Sequence, residues 1–395
     1  MRNSTIFNRY STISGVLFFV TLFTVNSVFS AENVNRYRSH YKAALLADAG
    51  SGRILHHDRM HQKIYPASLV KMMVALIALE ELQSGRISLQ DSVKVSRWAS
   101  KIGGHQVYLK QGEIFKFRKL MEATVIASAN DASVAVAEHV LSSYKVFIKR
   151  MNERALELGM NKTRFYSVHG LPPGRGQQLD VSSAYDLYLL ALELIKHSQF
   201  LRWSSTRLES FRNGTFQLLN TNHRLIKSYR GMEGMKTGYH RRAGFNLVSS
   251  AKRDGQRYIA IILGAKNSRM RSKTTRHLLD YGFDNYQLFE LNKIDADVSY
   301  SAGVKGGEVE NVPLQATETV SLLLSAEEHR RLEIWPQIPA QTGAPVKAEQ
   351  KLGTLEFWLD GKLLKEVALQ TEFAVPEQSV LSELASMLTN LSGTN

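Results

Sequence analysis

Apolar positions along the chain fall into two regimes. Up to about residue 281 long helical runs are framed by strands, and from Val298 onward short alternating runs take over. Residues 43–56 read as a strand, a turn at Gly50-Ser51-Gly52 and a second strand beginning at Arg53. Pro66-Ala67-Ser68 then opens a helix over 69–79. It is hydrophobic nearly all round, which predicts burial at the centre of a domain. Helices follow near 117–127, 132–141 and 147–158, with another through 185–195 opened by Ser182-Ser183. Beyond Gln217 the pattern turns to strands over 244–251 and 257–263, and a helix over about 270–281 closes the segment. Strand, helices and strands around a buried helix predict an α+β domain, an antiparallel sheet covered by helices.

The second regime contains Val320-Ser321-Leu322-Leu323-Leu324 and Leu355-Glu356-Phe357-Trp358-Leu359, separated by Gly, Pro and Asp-Gly turns. It predicts a small all-β domain over 286–375. In 376–395, Val380, Leu381, Leu384, Leu388 and Leu391 form one helical stripe. Peripheral membrane contact is one role for that helix. It holds no Lys or Arg, which weakens that role, and packing on its own domain or on a partner is the other reading.

Residues 1–30 carry two charges, Arg2 and Arg9, then an apolar run over 16–25 and Val28-Phe29-Ser30 before Ala31. This is the layout of a secretory signal peptide, and the run is short for a membrane anchor. Export removes the temptation to read the net charge of +14 as nucleic-acid binding. No binding motif for nucleic acid accompanies it. The charge is also uneven. Residues 31–285 hold 40 basic and 20 acidic side chains, a net of +20, against 8 and 16, a net of −8, from 286 onward. A basic exported domain suits an extracytoplasmic polyanion or an acidic membrane surface, or is simply a solvated basic face. Cysteine is absent, which excludes disulfides, thiolate metal sites and thiol nucleophiles. No metal-ligand cluster or phosphate cradle is visible, so neither metal nor cofactor is expected.

A covalent mechanism without thiols must use Ser, Thr, Lys or a carboxylate. Ser68-Leu69-Val70-Lys71 places a hydroxyl and an amine on one helical face. Burial would lower the amine pKa until it can take the hydroxyl proton. Alone the pattern says nothing, for it recurs at Ser39/Lys42, Ser142/Lys145 and Ser249/Lys252. Only Ser68 stands at the mouth of a buried helix behind a proline. Ser128-Ala129-Asn130 begins 60 residues after Ser68, and Lys236-Thr237-Gly238 begins 106 after Asn130. The first alone could be a helix cap, and the second an ordinary turn.

Taken in order, the three motifs resemble the signature of the penicillin-recognising serine enzymes. The stretches Tyr65–Met73, Ser128–Ala132, His169-Gly170-Leu171-Pro172 and Gly234–Tyr239 are similar to D-alanyl-D-alanine carboxypeptidases, the low-molecular-mass penicillin-binding proteins of the bacterial periplasm. The resemblance runs from about Tyr41 to Asn285, with a fainter one to the family's C-terminal β module at 345–353 and Asp360-Gly361-Lys362. It implies a penicillin-binding, β-lactamase-like catalytic fold. It also implies an acyl-enzyme reaction on peptidoglycan stem peptides ending in D-Ala-D-Ala, with β-lactams as covalent inhibitors. Ser68 would be the nucleophile, Lys71 its base and Ser128 a proton relay to the leaving group. Asn130 would hold the peptide, Lys236 and Thr237 would grip its terminal carboxylate, and Gly238 would let its extended backbone approach the strand edge. Tyr239 would lend a backbone N–H, and Arg271 matches a family arginine suited to a carboxylate.

Two departures stand out: Tyr239 where several relatives carry histidine, and Gly103-Gly104-His105 in a loop near the family's site. His105 and His169 read as loop histidines rather than bases. Competing readings are a class A β-lactamase, an endopeptidase or esterase on the same scaffold, and a catalytically silent wall-binding scaffold. The first would use Glu157 of Glu-x-x-x-Asn, but Glu157 sits where a helix terminates at Gly159.

Overall fold

The computed structural model describes residues 34–174, 178–291 and 300–379. The signal-like segment and the apolar stripe of 380–395 lie outside them. Five antiparallel strands form the main sheet, in the spatial order Ile54–Asp58, Ala43–Asp48, Gln256–Ala265, Gly244–Arg253, Met232–His240. Its middle strands are nearly continuous apolar runs because both faces are covered. Alternation divides them cleanly. Ala43, Leu45 and Ala47 face one core with Ile259 and Ile261, while Ala44 and Leu46 face a second with Ala260 and Ile262.

The first core is built around the helix Val70–Gln83, the run expected over 69–79, and the prediction of burial all round holds. Phe117–Val125, Asn130–Leu141, Tyr144–Glu157 and Ala184–Leu194 contribute the rest of its helical shell. On the other face lies the helix Ser268–Asn285. It approaches so closely that a Cβ at Gly282 would stand 3.1 Å from the Tyr258 ring.

From Tyr286 the chain enters β structure. A six-stranded sheet runs Glu333–Gln337, Lys351–Leu359, Lys362–Thr371, Asn311–Ala316, Tyr300–Lys305, Gln341–Gly343. All its pairs are antiparallel except the last. A separate pair joins Tyr286–Leu291 to Val320–Ser325. The expected all-β pattern is interrupted only by the five-residue helix Ala326–Arg330 among the described residues. It is held by a capping box between Ser325 and Glu328. Arg53 ties the two halves together: it donates to the Leu323 carbonyl (2.9 Å), pairs with Glu328 and covers the Tyr286 ring.

Two short antiparallel pairs, Ser92–Lys94 with Ile114–Lys116 and Leu208–Phe211 with Phe216–Leu219, were not expected. Strands of three or four residues are too short to declare a period.

Candidate active site

Ser68 sits in a 3₁₀ turn, Ala67–Leu69, that feeds directly into the buried helix. Ala67 has φ of +52°, a left-handed conformation that costs a side-chain-bearing residue roughly 1–2 kcal/mol. The neighbouring loop fits flush against it: a Cβ at Gly170 would lie 2.1 Å from the Ala67 carbonyl oxygen, so glycine is required there. One turn on, Lys71 is 1% exposed. Its Nζ reaches Ser68 Oγ at 3.2 Å, Asn130 Oδ1 at 2.7 Å and the His169 carbonyl at 2.8 Å. No carboxylate touches it. Burial, reinforced by the charge of Lys236, holds its pKa well below the ordinary lysine range. The amine is therefore suited to accept a proton from the serine it faces.

The helix Phe117–Val125 stops short of Ser128, whose φ of +62° turns the chain before Asn130 opens the next helix. Ser128 is thus presented from a loop between two helices rather than from a helix cap. Its Oγ accepts from Lys236 Nζ at 2.7 Å. Asn130, besides holding Lys71, donates from Nδ2 to the Gly103 carbonyl at 2.8 Å. Next to it the buried carboxylate of Asp131 accepts from the N–H groups of Val107 and Leu109. The 103–109 loop is fastened to the Ser128–Asp131 turn by these bonds.

Lys236, Thr237, Gly238 and Tyr239 occupy the edge strand Met232–His240, whose free side faces the start of the buried helix. A Cβ at Gly238 would stand 2.5 Å from the Pro66 carbonyl oxygen and 3.2 Å from Ser68 N. Glycine alone lets the strand and Ser68 approach this closely. Lys236 is buried without a carboxylate partner, and burial together with the Arg271 charge brings its pKa down to about 7. Thr237 Oγ1 donates to Thr221 Oγ1 at 2.7 Å. Tyr239 is exposed and stacks on Phe245, so its ring takes no part in the buried cluster.

Five expected residues therefore converge on one site as two hydrogen-bonded groups, Ser68–Lys71–Asn130 and Ser128–Lys236, with the Thr237 carbonyl bonded to the second and Gly238 packed against Ser68. Arg271 stands apart from it. It comes from Ser268–Asn285, is 8% exposed and bonds to none of them, and its own burial lowers its pKa to about 10. It acts on the cluster through its field at Lys236. The other three Ser-x-x-Lys matches fall elsewhere: Ser249, for example, is in a strand, where its lysine three residues on faces the opposite side.

The sequence model of one protein family, described as D-alanyl-D-alanine carboxypeptidase, matches residues 30–267. The chain belongs to the D-alanyl-D-alanine carboxypeptidase family. A second model, the C-terminal domain of penicillin-binding protein 5, matches residues 283–377. D-alanyl-D-alanine carboxypeptidase DacF of Bacillus subtilis is 35% identical over 329 residues, 82% of this chain and 83% of its own. The crystal structure of penicillin-binding protein 5 from Haemophilus influenzae superposes with a TM-score of 0.68 at 26% identity, covering 86% of this chain and 98% of that one. Penicillin-binding protein D2 of Listeria monocytogenes, solved in its ampicillin-bound form, is 30% identical with a TM-score of 0.56, covering 62% and 97%.

This member of the carboxypeptidase family also uses residues that its motifs do not announce. The His169 backbone carbonyl accepts from Lys71, while the buried His169 ring, held neutral with a pKa of about 4, accepts from Leu171 N–H. Asn246, fully buried in Gly244–Arg253, donates to the Tyr65 and Pro66 carbonyls and accepts from Gly264 N–H, which pins the segment leading into Ser68. An asparagine inside an apolar strand run was the available signal. Thr221 left none. Glu157, needed by a class A β-lactamase, ends its helix paired with Arg150 and Arg154 instead.

Proposed function

We propose that the protein is an exported serine D,D-carboxypeptidase that removes the terminal D-alanine of peptidoglycan stem peptides through an acyl-enzyme. The observation that carries this reading is Lys71: a buried, carboxylate-free amine 3.2 Å from Ser68 Oγ. Neutral Lys71 takes the Ser68 proton as Oγ attacks the penultimate D-alanyl carbonyl. Backbone N–H groups of Ser68 and Tyr239 meet the developing oxyanion, a contribution of about 3 kcal/mol per donor. The amide C–N bond then breaks, and its nitrogen receives the proton through Ser128, which Lys236 holds in place. Asn130 positions the acyl peptide. Lys236, Thr237 and Arg271 hold the terminal carboxylate, a role that suits two buried cations lacking any protein anion. Water releases the acyl group by the same route in reverse. β-Lactams acylate the same serine.

The signal-like start, with its short apolar run, supports export to the periplasm. Peripheral contact with the membrane through the apolar residues of 380–395 belongs to the same proposal. The test is D-alanine release from a soluble D-Ala-D-Ala peptide by the wild type and by Ser68→Ala. Release that the variant lacks is expected. No release by the wild type overturns the reading, and release that survives in the variant overturns the choice of nucleophile.

A further inference from the structure

Next to Thr237 the surface opens into a cleft of about 640 Å³, walled by residues 221–225 and by the first turns of Ser268–Asn285. Thr221, which accepts the hydrogen bond of Thr237, lies on its wall, so the cleft is continuous with the edge strand. Arg224, Arg269, Arg271, Lys273 and Arg276 all line it, and no acidic residue does. None of the five forms an ion pair with a described residue. Arg276 donates to the Ser228 carbonyl and Lys273 lies over the Tyr37 ring, contacts that leave both charges in place.

Five cations gathered in one concavity repel one another and raise the local positive potential, whereas an ordinary basic face spreads its charges over convex, solvated surface. Two buried donors on the wall point the same way. Arg271 Nε and the Nδ2 of Asn222, a side chain 4% exposed, have no hydrogen-bond partner. Leaving a buried donor unmade costs roughly 1–3 kcal/mol, and both of these are N–H groups that an anion would satisfy. The long helix beginning at Ser268 adds its positive end at the same place.

A departing D-alanine carries one carboxylate, which Lys236, Thr237 and Arg271 suffice to hold. Arg224, Arg269 and Lys273 then have nothing to bind. We propose that the cleft is an extended leaving-group subsite for peptides whose departing amine carries further carboxylates. The protein accordingly also cuts D-alanyl bonds inside carboxylate-rich, cross-linked stem peptides. This inference rests on the carboxypeptidase reading above. Its occupant is covalently joined to the substrate, which is why the subsite adjoins the strand that meets the leaving group; a detached wall polymer would need no such adjacency. The volume lies in the range that encloses a ligand of a few residues. The chemistry is unchanged: Ser68 Oγ forms an ester with the D-alanyl carbonyl, the C–N bond breaks, and the nitrogen takes the serine's proton to leave as a free amine. Water then hydrolyses the ester to a carboxylate.

The test uses the full chain and the triple variant Arg224→Ala/Arg269→Ala/Lys273→Ala, all three side chains being exposed. Two substrates share one acyl part. One ends in D-Ala-D-Ala, and the other joins the same D-alanine to a peptide amine bearing three carboxylates. The wild type is expected to cut both. The triple variant should lose 10- to 100-fold in kcat/KM on the tricarboxylate substrate, and less than threefold on D-Ala-D-Ala and on penicillin acylation. Amidating the extra carboxylates should abolish the difference between the two proteins. A wild type that releases D-alanine but leaves the tricarboxylate peptide intact overturns the inference, as does an equal loss on both substrates. So does competition by a phosphodiester polymer at concentrations where the free tricarboxylate peptide is inert, which would make the cleft a polymer dock. Cutting of the internal bond without D-alanine release would support the inference and overturn the carboxypeptidase reading alone. Absence of both activities would overturn the two together.

Discussion

In the half built on the five-stranded sheet, the interior encloses Lys71, Asn130, Asp131, Asp180, Lys236 and Arg271. Among the described residues from 286 onward, Thr371 is the only buried polar side chain, and it is fully bonded to the Lys347 carbonyl and Gln350 N–H. The backbone differs in the same way. Besides turn residues such as Arg59 and Asp254, the sheet half holds Ala67, next to Ser68, and Ser128 itself in the left-handed conformation, whereas the β half uses it only at Glu349 and Asp360, outside its strands, among the described residues. Burying charge is costly unless something holds it. A fold that keeps Lys71, Lys236 and Arg271 buried near one another without a salt bridge is maintaining chemistry, and perturbed groups of this kind mark functional sites. The β half shows what a domain looks like when its interior has only to hold its shape.

That contrast can be broken at several points. Lys71→Met should lower acylation by penicillin roughly 10²–10⁴-fold by removing the amine that faces Ser68, while leaving the fold intact, because an apolar chain of similar length fills the space of a desolvated amine. Stopped-flow acylation and thermal unfolding read the two effects separately, and a variant that acylates normally removes Lys71 from the mechanism. Gly238→Ala forces a methyl group towards the Pro66 carbonyl. About 1–3 kcal/mol of stability should go with it, together with most of the acylation rate, since Ser68 N moves too. Retention of both would show that the strand has room to shift.

Phe357→Ala, in the β core, is the mirror experiment. It should cost about 3–5 kcal/mol by denaturant unfolding of that half, with acylation by the catalytic half within twofold of wild type. An acylation defect would mean the halves are coupled more tightly than Arg53 suggests.

The smallest effect is on pH dependence. Folded Lys236 titrates near 7 against an ordinary 10.5. Below about pH 7 both folded and unfolded chains hold the proton. Between there and the ordinary lysine range only the unfolded chain does, so this group makes stability rise with pH. Relative to wild type, Lys236→Met should flatten the rise in Tm between pH 7 and 9. An unchanged slope would place the titration elsewhere.

Much of this was legible in the sequence, for reasons that can be traced. The buried helix announced itself because apolar residues on every face have no other stable placement, and Lys71 stood out as the one charge in its first turns. The three motifs were legible because each is local. What escaped depends on contacts between distant segments. The His169 carbonyl is a backbone atom with no side-chain signature. Thr221 matters only because Thr237 is paired to it from a strand sixteen residues on. The basic cleft combines Arg224 with residues of a helix more than forty positions later, a convergence that an evenly counted charge excess cannot express.

In the proposed reaction Ser68, deprotonated by Lys71, carries the acyl group. The most direct measurement is mass spectrometry of the full chain after brief exposure to a penicillin, with proteolytic mapping of the adduct in wild type, Ser68→Ala and Lys71→Met. One adduct is expected, on the peptide containing Ser68, absent in Ser68→Ala and formed far more slowly in Lys71→Met. An adduct on any other serine, or one that persists in Ser68→Ala, would contradict it.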